Sequence, residues 1–129
     1  LTRPSRALRL WLPLKMHGTA AFAAALEEKL LLARYFYDAV QKIPGVEVGP
    51  APDLSVVTFR FVPEEGDADT FNRTLVEAIS ADGRVFLAST RIDGKFVIRM
   101  AILTYHSHLE EVDLALQVSR ELIEKVSSC

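Results

Sequence analysis

"RVFLASTRIDGKFVIRMAIL", residues 84–103, settles the architecture. Two apolar runs flank Asp93-Gly94, and a two-residue Asp-Gly between strand-like runs is the strongest short-range hairpin signal. Side chains alternate along a strand, so Phe96, Ile98, Met100 and Ile102 share one face and Val97, Arg99 and Ala101 the other. The first set reads as a core face. The second carries a guanidinium, and stripping water from an uncompensated one costs several kcal/mol. Arg99 therefore needs either a solvent-facing sheet surface or an anionic partner.

Moving towards the N-terminus, "LSVVTFRFV" (54–62) alternates Val57, Phe59 and Phe61 against Val56, Thr58 and Arg60, a third strand. "IPGVEVGPAPD" (43–53) is turn-rich, with room for a short strand. The polar connection "PEEGDAD" leads into a helix from about 68 to 81, marked by Phe71, Leu75 and Ile79 and closed by Asp82-Gly83. Its acids, Glu64, Glu65, Asp67 and Asp69, read as a solvated loop. After the hairpin, Leu109, Val112, Leu116, Ser119, Ile123 and Val126 set the stripe of a helix over 108–126. Ser107 with Glu110 has the pattern of a capping box.

At the other end, residues 5–17 form a short helix that Pro13 bends or ends, because proline lacks the N–H its turn requires. Gly18 suits a stop and Thr19 an N-cap. The longest helix follows, over about 20–42, with Phe22, Leu26, Leu30, Ala33, Tyr37 and Val40 on one stripe. Leu31, Leu32 and Phe36 widen its apolar surface. Two readings stay open: a central core helix, or a surface meant for another domain or subunit. The order of elements gives an α+β fold, a small and mainly antiparallel sheet covered on one face by helices.

The 129 residues, half hydrophobic and a quarter charged, suffice for one compact domain. Fifteen basic against 17 acidic residues leave a formal net charge of −2, which does not point to a strongly basic nucleic-acid surface. The one cysteine, Cys129, makes no internal disulfide, and a reducing, cytoplasmic setting is expected. No run approaches the roughly 18 apolar residues of a membrane helix. Residues 1–18 place arginines before a short apolar run, as a signal peptide does, but Arg9, Pro13 and Lys15 interrupt it. Without an initiator methionine, the chain reads as a piece of something longer.

No self-contained active site emerges. His106 and His108 lie two apart without a third ligand at metal-binding spacing, and His17 stands alone. No serine sits in a nucleophile elbow, and the glycines are too scattered for a phosphate loop. The five lysines, Lys15, Lys29, Lys42, Lys95 and Lys125, fall near helix ends or turns, where solvated roles are expected.

Two stretches carry a resemblance. "RPSRALRLWLPLKMHG" (3–18), an arginine ahead of a leucine-basic-leucine-tryptophan core with a closing glycine, is similar to a segment of group II pyridoxal-phosphate decarboxylases. "DGKFVIRMAI" followed by a polar loop and "EEVD" resembles the last strand and helix of the same family, which includes aromatic-L-amino-acid, histidine and glutamate decarboxylases. The resemblance runs over nearly the whole chain and implies the C-terminal small domain of a fold type I enzyme, 19–129, preceded by a connecting segment, 1–18. It implies a homodimeric parent that uses pyridoxal phosphate to decarboxylate an amino acid.

By the same resemblance Arg99 matches an arginine that faces the active site and binds the substrate carboxylate. Its planar fork suits bidentate binding of such a group. Arg3, and beside it Thr2 where relatives have glycine, match a stretch near the cofactor phosphate of the neighbouring subunit. Trp11 is implied to pack the connecting segment against the large domain. The family's cofactor lysine follows a histidine, and this chain has no His-Lys pair, so no catalytic residue is assigned here and the isolated chain is expected to be inactive. The alternatives are the small domain of another fold type I enzyme, such as an aminotransferase or desulfurase, and a free-standing α+β binding or dimerisation module.

Overall fold

The structure is a computed structural model and describes residues 6–104 and 106–128. Its elements are α1 (Arg6–Val40), β1 (Val46–Val48), β2 (Val56–Phe61), α2 (Ala68–Asp82), β3 (Ala88–Ile92), β4 (Lys95–Ala101) and α3 (Leu109–Ser127). The four strands make one antiparallel sheet in the order β1-β2-β4-β3. α1 and α2 lie on one face of it, and α3 packs against both helices.

The hairpin forms as its sequence requires. Asp93 and Gly94 both take positive φ, 49° and 76°, as the tight turn that follows the strands' right-handed twist demands. Register then pairs Arg99 with Ala88 on one side and Thr58 on the other. Ile98 and Met100 are buried with Val57 and Phe59 beneath the helices, as expected for β4, while Phe96 is half-buried and Val97, on the other face, is buried as well. Phe36 of α1 meets Phe59 with ring centroids 5.7 Å apart, fixing helix to sheet.

Several local expectations change. α1 keeps helical dihedrals through Pro13, where a bend or end was expected, and is interrupted at Gly18, the expected stop. Its buried stripe is Lys29, Leu32, Ala33, Phe36 and Val40, turned by about one residue from the expected set; Leu26 is 65% exposed. The capping box of α3 also shifts by one residue. The N-cap is His108, whose N–H donates to Glu111 at 2.9 Å. Ser107 instead pairs its hydroxyl with that of Thr104 at 2.6 Å.

Candidate functional site

The sheet face opposite the helices is where charged chemistry collects. Strand alternation and register put Val97, Arg99 and Ala101 of β4 on that face, with Val56, Thr58 and Arg60 of β2, Ala88 and Thr90 of β3, and Glu47 of β1. Arg60 and Arg99 share it but differ in surroundings. Arg60 is mostly buried; its Nε lies 3.2 Å from a Glu47 carboxylate oxygen and its Nη1 3.7 Å from Asp69. Arg99 is exposed and makes no hydrogen bond or ion pair among the described residues. Its neighbours on that face, Ala88, Thr58 and Ala101, have small side chains. Exposure to solvent removes the desolvation cost, and a guanidinium so placed can meet a carboxylate with its planar fork.

The sheet around Arg99 is anchored by two side chains of α2, Asn72 bonded to β2 and Asp69 to β4. β2 and β4 stop pairing beyond Phe59 and Ile98, and α2 fills the gap. Buried Asn72 accepts from the Phe61 N–H at 2.8 Å and donates to the Phe61 carbonyl at 2.7 Å, so its amide stands in for the missing strand partner. Asp69 accepts from the Phe96 N–H at 3.0 Å and pairs with Arg91 at 3.2 Å. Asp69 is therefore structural, in contrast to the solvated role expected for it. Asp67 caps α2, accepting from the Thr70 N–H and hydroxyl at 2.8 and 2.7 Å. Those bonds hold its carboxyl below the usual carboxylate range. An asparagine among apolar spacings, one turn into a helix, is the signal that would have found the clamp.

A second feature lies where α1 meets the start of α3. A cleft of about 590 Å³ is lined by His17, Ala21, Phe22, Ala24, Ala25, Glu28 and His108. His108 Nδ1 lies 2.7 Å from Glu28, and that hydrogen bond keeps the glutamate below its ordinary pKa. Lys29, expected at the surface, is buried; its ammonium donates to the Ser107 carbonyl and sits 3.3 Å from Glu28. Among the described residues no group of histidines, cysteines and acids is arranged to hold a metal ion. None of the helices is long and apolar enough to cross a membrane.

No protein-family model matches the chain. Over 86% of its length it is 35% identical to tyrosine decarboxylase 2 of Arabidopsis thaliana. Over 98% it is 34% identical to the aromatic-L-amino-acid decarboxylase of Bacillus atrophaeus. The solved Oryza sativa TDC with PLP and tryptamine superposes on 95% of the chain with a TM-score of 0.85 at 25% identity, covering 27% of that structure. The chain matches the C-terminal part of pyridoxal-phosphate-dependent amino-acid decarboxylases. It spans 22% and 27% of the two curated decarboxylases, about a quarter of their length.

Lysines are the residues on which a pyridoxal-phosphate site would draw. Pyridoxal phosphate is held by a lysine imine and a partner for its ring nitrogen. Lys29 is committed to Ser107 and Glu28, and the other four lysines are exposed. Lys95 lines only a notch of about 180 Å³, shared with Arg60 and Asp93. Thr2 and Arg3, the expected contacts to the cofactor phosphate, lie outside the described residues, as does Cys129.

Proposed function

We propose that this chain is the C-terminal domain of a pyridoxal-phosphate-dependent amino-acid decarboxylase and that Arg99 binds the substrate carboxylate there. One observation carries the reading: of two arginines on the open sheet face, Arg60 has acids of its own fold and Arg99, among the described residues, has none. The relatives' names support an aromatic amino acid as substrate. The exposed apolar residues of α1, among them Leu8, Leu10, Trp11, Leu12 and Met16, support contacts with the rest of the protein. On this reading residues 1–18 connect to the large domain and 19–129 form the small one, a division that coincides with the break in α1 at Gly18. The parent is a homodimer in the cytoplasm, with Thr2 and Arg3 near the cofactor phosphate of the neighbouring subunit.

Arg99 binds and orients rather than breaks bonds. A guanidinium that holds the carboxylate as tightly in the ground state as in the transition state lowers KM without raising kcat. Replacing it in the full-length protein tests this. Arg99→Met should raise the KM for the amino acid by about 10- to 100-fold, with cofactor affinity unchanged. Equal loss of substrate and cofactor binding would assign Arg99 to folding and overturn the proposal.

A further inference from the structure

α1 is drawn as one helix, but a single residue divides it. Gly18 has φ 76° and ψ 167°, a backbone region essentially reserved for glycine. Its flanks, "RALRLWLPLKMH" and "TAAFAAALEEKL", are helical on both sides, so the break is not a failure of helix-forming sequence. Crowding does not explain the glycine either, since a Cβ there would meet nothing within 4 Å. Nor does packing impose the break from the N-terminal side, where Leu8, Leu10, Trp11, Leu12 and Met16 are all exposed. What glycine supplies is the backbone conformation alone.

We propose that Gly18 is a fixed-angle joint that aims the apolar segment 6–17 relative to the sheet, and so positions the Arg99 face against the remainder of the protein. The inference rests on the functional reading above for its consequence, though not for its geometry. Lever arithmetic shows why one residue matters. Twelve residues at 1.5 Å each make an arm about 18 Å long, so a turn of roughly 30° at the joint moves its tip by about 9 Å. Displacements far smaller than that spoil the alignment of a bound substrate. Gly18 is thus a positioning residue, acting through the arm rather than touching substrate.

The decisive comparison is Gly18→Ala with the L enantiomer and, by peptide ligation, with the D enantiomer. A D residue takes positive φ and extended ψ freely, whereas an L residue there straightens into helix. In the 129-residue chain on a Cys129→Ser background, spin labels at Arg9→Cys and Arg34→Cys report the bend. L-alanine should lengthen their separation to about 37 Å, the span of 25 residues of straight helix, and raise helical content. D-alanine should keep the wild-type distance. Thermal melting should be the same for all three, because the site is exposed. In the full-length protein the L variant should lose about tenfold in kcat/KM, carried mainly by KM, while the D variant keeps wild-type values. An unchanged distance with L-alanine, or equal disruption by both enantiomers, would overturn the joint. A full-length protein without decarboxylase activity would defeat the functional reading instead, and the label distances would still judge the joint.

Discussion

The two ends of α1 are comparably apolar in sequence and opposite in structure. From Lys29 to Val40 the helix buries Leu32, Ala33, Phe36 and Val40 against the sheet and α3. From Arg6 to Met16 its large apolar residues face outwards, with Trp11 57% and Met16 69% exposed. Hydrophobicity alone therefore does not say where a residue is buried; it says only that some surface must cover it. Within the C-terminal half the covering surface is the chain's own sheet. For the N-terminal half no such surface occurs among the described residues, and the proposal assigns it to the remainder of a longer protein, the curated relatives being about four times as long as this chain.

That contrast can be broken most forcefully in the buried half. Phe36→Ala should cost about 3–5 kcal/mol in urea denaturation, because it empties the contact with Phe59 at the centre of the core. A cost below about 1 kcal/mol would mean that the helix is not seated as described. Asn72→Ala comes next. It leaves the Phe61 N–H and carbonyl without their amide partner, at a cost on the order of 2–4 kcal/mol. Asn72→Asp should cost similarly, since a carboxylate accepts from the N–H but cannot donate to the carbonyl.

Acid should act more gently. Glu28, Asp67 and Glu111 all titrate below their ordinary values, chiefly through hydrogen bonds from His108, Thr70 and the His108 backbone respectively. Depressed carboxyl groups stabilise the fold above their unfolded pKa values and cease to do so as pH falls through the folded ones. Stability should therefore be level down to about pH 5 and decline from about pH 4 downwards. A melting temperature that rises on acidification would contradict the assignment. The smallest effect belongs to the exposed half: Trp11→Ser should change the stability of this chain by no more than about 0.5 kcal/mol.

Sequence patterning recovered the layers, the hairpin and the face of β4, because period-two alternation and an Asp-Gly turn are local signals. It placed the stripe of α1 one residue out, since a helix apolar on several sides gives no sharp moment, and the lysine at position 29 looks polar until its ammonium is seen to reach Ser107. Asn72 and Asp69 were invisible for a different reason. Their role exists only where β2 and β4 diverge, and no local pattern announces a gap between strands distant in sequence. At the candidate site, resemblance singled out Arg99, and alternation gave its face. What set Arg99 apart from Arg60, the absence of an acid beside it among the described residues, required the fold.

The claim that the exposed half of α1 is one side of an interface is tested most directly by hydrogen exchange at the amides of residues 6–17. Measured in this chain and in the full-length protein, those amides should exchange rapidly in the first and be protected by at least about a hundredfold in the second. Equally fast exchange in both would show that nothing covers the segment, and the account built on it would fail.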